Sequence, residues 1–402
     1  MPRFSLCFFS LCALSAATAA SAQSSVTLFG VMDAGISRYS VHSNAWDGSG
    51  RTASQSVWAL SPSGNLASRI GIRAVEDLGG GSSASMWLEA PVTNDTGGGA
   101  LNFGRRSTVS MTSQQWGEVR LGRDHTPSFL NDWAFDPFNV NGVGVNLIAV
   151  VSSNLAIGRA LGTQTTGTLT ERLLGGGLSA GTDSYLRASN TIGYHLPQGL
   201  GGVYGQLMYA FPENTSKRGR YAGGRIGWAQ GPTDIALGYG ESMLGTFNGR
   251  KETIKSLNLG GSYNFGPVKI LGEWSQVRNA RSDVAATDRY DGLLAGVQVP
   301  VGNHQLRASV ARVQFKNGQG TGDASVNKLA LGYVHNLSKS TALYTSVSRI
   351  SVSNGSNNPG IIGVTPLAVS SALIMPQPSY STSPGMQPRS AMGFDFGLRM
   401  IF

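Results

Sequence analysis

The sequence predicts an all-β chain folded as a sixteen-stranded antiparallel transmembrane barrel, and three observations point there. After the N-terminal leader, no stretch approaches the ~18 consecutive apolar residues that a membrane-spanning helix needs. Only 13% of the residues are charged and 55 are glycine, an unusual make-up for a soluble domain. The apolar residues instead recur at alternate positions, most plainly in the closing segment 391–402, where Met392, Phe394, Phe396, Leu398, Met400 and Phe402 alternate with Gly393, Asp395, Gly397, Arg399 and Ile401. Successive strand side chains point to opposite faces, so this segment has one greasy face and one largely small or charged face. That suits a barrel wall with lipid outside and water inside.

Residues 1–22 read as a cleaved export leader: Arg3 is a minimal basic start, 4–17 an apolar run, and Ala20-Ser21-Ala22 a small-x-small cleavage site. Gln23 would open the mature chain, with 23–402 as a single barrel domain. Cys7 and Cys12 both lie in the leader, so no disulfide, thiol nucleophile or cysteine metal site is expected afterwards. Sixteen extended segments follow, at 25–39, 68–76, 82–92, 102–112, 117–124, 187–196, 202–211, 220–229, 233–243, 253–264, 267–277, 289–299, 304–315, 325–336, 341–352 and 391–402. In the first, Val26, Leu28, Met32 and Ile36 oppose Thr27, Phe29, Val31, Asp33 and Ser37; in the ninth, Ile235, Leu237 and Tyr239 alternate with Asp234, Ala236 and Gly238.

The short connections carry turn formers, as in 77–81 (DLGGG), 197–199 (PQG), 230–232 (QGP), 265–267 (FGP), 300–303 (PVGN) and 337–340 (LSKS). Glycine supplies positive φ and proline fixes φ, so each can reverse the chain tightly. Longer connections fall at 40–67, 125–186 and 353–390. Short turns at one end and long loops at the other are the plan of an outer-membrane barrel. Sixteen strands enclose an aqueous lumen, where about eight would be filled by their own side chains.

Several runs together resemble the trimeric general porins of β-proteobacteria: SVTLFGVMDAG at 25–35, SRIGIR at 68–73 followed by EDLGGG at 76–81, LGRDHTP at 121–127, DPF at 136–138 and LSKSTALY at 337–344. The end of the chain is similar to the closing strand of Gram-negative outer-membrane barrels, in which Phe394, Phe396, Leu398, Met400 and the terminal Phe402 would form the signal read by the barrel assembly machinery. The resemblance implies a homotrimer in the outer membrane, surrounded by lipid and lipopolysaccharide, with a third loop folded into each lumen as an eyelet and no cofactor. The match departs at Gly193, where the family often has a basic residue, and in the length of 353–390.

If Ile70, Ile72 and Ala74 face lipid, then Arg69 and Arg73 face water, and Val119 and Leu121 likewise send Arg120 inward. Arg105 and Arg106 are adjacent, so within a strand one of them points inward. The family pattern favours Arg105, leaving Arg106 on the outer face with Arg312 and Arg349, where they would touch lipopolysaccharide or solvent. Guanidinium stays charged at every working pH, so the inward arginines make a fixed positive wall. The third loop is expected to supply the opposite sign through Asp132 and Asp136, with Asp124 at its entrance, although the two loop acids could instead hold the loop by capping or pairing. Opposed walls would create a transverse field that sorts small polar solutes.

Losing Arg3 with the leader leaves 30 basic against 22 acidic residues, a net charge of +8 that favours anions near a narrow opening. The positive charges are dispersed, which argues against nucleic acid. His42, His125, His195, His304 and His335 show no metal-ligand spacing, and nothing brings a nucleophile, His and orienting acid to one wall. The chain therefore reads as a non-enzymatic, water-filled channel for passive diffusion of small hydrophilic solutes and ions, weakly selective for anions. The alternative is a substrate-selective channel with an eyelet binding site, for which Trp87, Tyr204 and Tyr344 are the candidate aromatics.

Overall fold

The computed structural model of the chain describes residues 24–45, 47–97, 101–151, 185–212, 219–247, 249–281, 285–320, 322–355 and 386–402. The expected leader at 1–22 lies outside the described residues, as do 152–184 of the third loop and 356–385 of the last. In chain order come β1 (Ser25–Ala45), β2 (Thr52–Pro62), β3 (Arg69–Gly79), β4 (Ser82–Pro91), β5 (Arg106–Ser113), β6 (Gly117–His125), α1 (Pro127–Ala134), β7 (Arg187–His195), β8 (Val203–Ala210), β9 (Tyr221–Gln230), β10 (Thr233–Phe247), β11 (Arg250–Asn264), β12 (Lys269–Arg281), β13 (Ala286–Val301), β14 (His304–Lys316), β15 (Ala324–Asn336), β16 (Thr341–Ser353) and β17 (Met386–Ile401). Among the described residues no helix is long and apolar enough to cross a membrane.

From β3 onward each strand pairs antiparallel with the next, and β17 pairs with β1 from Val31↔Ile401 to Ala45↔Met386. The sheet closes on itself and leaves no free edge. Seventeen segments fill sixteen positions in the ring, because residues 34–44 of β1 pair with β2 and residues 25–31 with β3. β2 and β3 thus lie end to end along one side of β1. The expected long connection at 40–67 is mostly hairpin, since β1 runs on to Ala45 and β2 returns from Thr52. Between β2 and β3 the chain leaves the wall, and Asp33 of β1 holds it there. The N–H groups of Asn65 and Leu66 donate to Asp33 Oδ2 at 2.9 and 2.7 Å, and the Tyr344 hydroxyl donates to Oδ1 at 2.6 Å. In the β3–β4 turn, Gly79, Gly80 and Gly81 have φ of 78°, 59° and 77°, where a side chain would be strained.

Near the short turns the strands are apolar outside and polar inside. Leu28 and Ile36 of β1, Ile235 of β10, Leu331 of β15 and Leu398 of β17 are exposed, as a lipid-facing wall requires, while Asp33, Ser37, Asn258 and Asp395 on the opposite face are buried. Toward the long-loop end of β11–β16 the pattern inverts. There Ile254, Val277, Val313, Val326 and Ile350 turn inward into an apolar cluster, and Lys255, Arg278, Arg312, Asn327 and Arg349 are the exposed neighbours.

What these inward apolar residues meet is the described part of the third loop, whose Val140, Val143, Val145, Leu147 and Ile148 belong to the same cluster. The loop starts as α1: the Thr126 hydroxyl oxygen accepts from Phe129 N–H at 3.4 Å, and Pro127 suits a first helical position. Asn131 of α1 donates to the Ala236 carbonyl of β10 at 3.1 Å, and Asn258 of β11 donates to the Ser128 carbonyl at 2.9 Å. Farther on, Gln298 of β13 donates to Pro137 O at 2.9 Å, Lys328 of β15 donates to Val145 O at 2.5 Å, and Val143 N–H donates to Asp395 of β17 at 2.7 Å. These partners lie on the strand faces opposite the exposed apolar row. Glycines make room for the loop, since a side chain at Gly260 would run into the Phe135 ring, one at Gly292 into Ile148 and one at Gly296 into Pro137.

Candidate functional site

A cavity of about 360 Å³ separates this loop from the wall formed by β3–β6. Arg69 and Arg73 lie opposite Val31 and Thr27 on the inner face of β3, and Trp87 and Glu89 opposite Arg73 and Gly71 on the inner face of β4. Arg120 of β6 lies opposite Ser110, again on the inner face. β5 begins at Arg106, which stands opposite Glu89 and so points inward. Arg105 lies just before the strand, where alternation no longer binds it, and it is buried against Glu89. The expectation that only one of the two faces the interior, with Arg106 outside, is therefore corrected: both do.

The wall is dense in charge. Glu89 Oε1 lies 2.6 Å from Arg105 Nε and 3.7 Å from Arg69 Nε. Asp124 lies 2.5 Å from Arg120 Nη1 and 3.8 Å from Arg106 Nε, so it sits on the arginine wall and not across from it. Glu118 takes a further contact from Arg120 Nε at 2.9 Å. The Arg106 guanidinium lies 4.4 Å from the centre of the Trp87 ring, a cation–π distance that fixes its plane. Buried Arg187 of β7 reaches His125 Nε2 at 3.0 Å. Arg69, Arg105, Arg106, Arg120 and Arg187 line the cavity with Glu89 and Asp124; Arg73 lies on the same inner face but outside the lining. The sequence reading did not single out Glu89 or Arg187. The alternation that turns Trp87 inward also turns Glu89 inward, whereas Arg187 opens its strand and gives no such signal.

The loop acids do not face the arginines. Asp132 and Asp136 are each 1% exposed. Asp132 accepts from the Tyr185 hydroxyl and from Asn258 Nδ2, and Asp136 accepts the N–H groups of Phe138, Val140 and Asn146 at 3.0, 2.8 and 3.0 Å. Burial pushes both carboxyls above the ordinary range, because losing water disfavours the charged form, and these donors oppose the shift. Of the two expectations for Asp132 and Asp136, the geometry fits the second: they do not form a wall facing the arginines but hold the loop in shape. Opposite the arginines the lining is Leu130, Trp133, Asn139 and Asn141, which carry no charge.

Of the three candidate aromatics, Trp87 lines the cavity and Tyr204 and Tyr344 do not; all three have partners. Trp87 lies under Arg106, the Tyr344 hydroxyl is bound to Asp33, and the Tyr204 hydroxyl donates to Asp234 at 2.7 Å while Arg225 lies 4.9 Å from the centre of its ring. On the last strand Phe396, Leu398, Met400 and Phe402 are 47–50% exposed and Phe394 is half-buried. Phe402 exchanges backbone hydrogen bonds with Gly30 at 2.9 and 3.1 Å.

A closed barrel with a loop bound against its strands and an arginine-lined cavity has counterparts among known proteins. Residues 10–355 match the family described as Gram-negative porin. The chain belongs to that family. This porin is 34% identical over 345 residues to outer membrane porin protein 32 of Delftia acidovorans, a match covering 84% of this chain and 87% of that one. It is 27% identical over 378 residues to an outer membrane porin of Bordetella pertussis, covering 82% and 89%. Among solved structures it is similar to an anion-selective porin from Comamonas acidovorans, with a TM-score of 0.71, 28% identity and coverage of 94% and 100%. OmpT of Vibrio cholerae in its trimer form shares the fold at a TM-score of 0.60 and 13% identity, covering 94% and 99%. The porin is thus a multi-pass β-barrel of the outer membrane and a channel, not an enzyme.

Proposed function

We propose that this porin passes small hydrophilic solutes and ions with a weak preference for anions, and that the arginine-lined cavity is its narrowest opening. The observation that carries the reading is the lining itself: five guanidinium groups against two carboxylates, facing a loop wall without charge. Fixed positive charge in a narrow water-filled passage lowers the free energy of an anion there and raises that of a cation. A similar solved porin is described as anion-selective, which supports the same sign. Tyr204 and Tyr344 lie outside the cavity and Trp87 is stacked on Arg106, so these three candidates do not favour the substrate-selective alternative.

In a planar bilayer with a potassium chloride gradient, the reversal potential is expected to take the anion-selective sign, and Arg69→Ala with Arg106→Ala is expected to move it toward zero. A cation-selective sign in the unmodified protein would overturn the charge argument and leave the family assignment untouched. The same reading includes a cleaved leader ending at Ala22, a homotrimer, and an outer surface in contact with lipid and lipopolysaccharide. It also gives the row ending in Phe402 to the assembly machinery. A chain lacking Phe402 is expected to be exported yet to give little heat-resistant trimer on unheated gels; wild-type trimer levels would rule that role out.

A further inference from the structure

Two histidines that show no ligand spacing in the sequence meet on the outer face of the barrel at its short-turn end. β14 starts at His304, and β15 ends one residue beyond His335. Gln305 pairs with Val334 and Leu306 with Tyr333, so the adjoining position of the same ladder sets His304 directly across from His335. Leu306 is 46% exposed and marks the outer face, and alternation puts His304 on it with Leu306, and His335 with Tyr333. The two imidazole ring centres are 4.0 Å apart, with the rings inclined by 8°. Aromatic pairs held by stacking alone ordinarily settle at about 4.5–7 Å. Both residues are half-buried, so a small ion can reach them from the water at the rim.

The hydrogen bonds around the pair leave nitrogen to spare. The Tyr333 hydroxyl lies 3.0 Å from His335 Nδ1, which orients that ring and leaves its Nε2 open. Such an outer partner on the second nitrogen is what metal-ligating histidines ordinarily have. His304 Nδ1 is buried and makes no hydrogen bond among the described residues. Zinc–nitrogen bonds are about 2.0–2.1 Å, so two nitrogens sharing a tetrahedral ion stand roughly 3.3 Å apart, a span that a modest turn of either ring reaches from the stacked arrangement. No group of three or more His, Cys, Asp or Glu suited to a metal forms among the described residues, so water would complete the coordination. A shell of imidazole without carboxylate suits late transition metals and not calcium or magnesium.

We propose that His304 and His335 bind one divalent late-transition-metal ion, copper(II) more tightly than zinc(II), with Tyr333 as the positioning residue that holds the His335 ring. The ion would clip β14 to β15 at the rim of short turns, which in such barrels faces the periplasm. The site rests neither on the channel's selectivity nor on its contact with lipid.

The test uses the protein purified from outer membranes in detergent, without an added tag. With equimolar copper(II), the wild type is expected to give an electron paramagnetic resonance spectrum split by two imidazole nitrogens. His335→Ala should lose that pattern, and replacing the exposed His42 by alanine should keep it. Tyr333→Phe retains both ligands and is expected to bind copper(II) about tenfold more weakly, as the loss of an outer partner does. Unchanged single-channel conductance would show that the variants are folded. A second measurement needs no variant: zinc(II) is expected to shield His304 and His335 from diethylpyrocarbonate, read by mass spectrometry of peptides, while His42 stays reactive. A two-nitrogen spectrum that survives in His335→Ala, or equal modification of the pair with and without zinc(II), would overturn the site and leave the two rings as a stacked contact. Wild-type affinity in Tyr333→Phe would overturn the positioning role of the hydroxyl.

Discussion

Along β14 the hydrophobic row changes sides. Toward the short turn, Leu306 and Val310 are exposed while Ser309 is buried; toward the long loop, Val313 and Phe315 are buried while Arg312 and Lys316 are exposed. The same exchange occurs in β12 between exposed Trp274 and buried Val277, and in β16 between exposed Val347 and buried Ile350. One continuous strand therefore obeys two opposite rules. Where a strand has lipid on one side and water on the other, apolar residues face out; where the described third-loop residues pack against it, they face the loop and charges face out. A residue's side follows the position of water, not the geometry of the ring.

Substitutions that reverse the rule locally test this contrast. Val326→Asp, at a fully buried inward position beside the loop, is expected to cost about 3–5 kcal/mol, because it leaves an uncompensated charge in a dry interior. Urea unfolding of protein refolded in lipid vesicles measures it, and a negligible loss would show that water reaches the upper interior. Leu331→Arg, outward in the lipid-facing belt, is expected to cost about 2–4 kcal/mol in the same assay. Tolerance there would move the lipid boundary below Leu331. Ile350→Ala removes a buried side chain from the loop cluster and should cost about 2 kcal/mol, with noisier open-channel current as the loop loosens. Quiet current together with lost stability would separate that cluster from control of the opening. Gln314→Arg, outward in the upper belt, should change stability by less than about 0.5 kcal/mol. A loss as large as that of Leu331→Arg would erase the distinction between the two belts.

The lower belt was legible because alternation there is clean: the row from Met392 to Met400 and the set Val26, Leu28, Met32 and Ile36 give both strand and face. The inward placement of Arg69, Arg73 and Arg120 follows from the same period. The upper belt was readable as strand, but the change of side within β12, β14 and β16 depends on what fills the lumen, which no local pattern reports. Arg106 was misplaced because a shift of four residues in where β5 begins frees Arg105 from the alternation. For Asp132 and Asp136 the sequence leaves two roles open because a loop has no period to aim a carboxylate. Their orientation is set by partners far away in sequence or by the loop's own folded backbone, such as Asn258 for Asp132 and the Val140 N–H for Asp136.

Asp395, a few residues from the C-terminus, uses one oxygen to accept the Ser37 hydroxyl of β1 at 2.6 Å and the other to accept Val143 N–H of the third loop at 2.7 Å. A single carboxylate thereby ties together the first strand, the last strand and the third loop. Before the last strand arrives this junction does not exist. Sealing the cylinder and fastening this loop are then one event, so an intermediate stalled before completion lacks the tie between its first strand, its last strand and the loop.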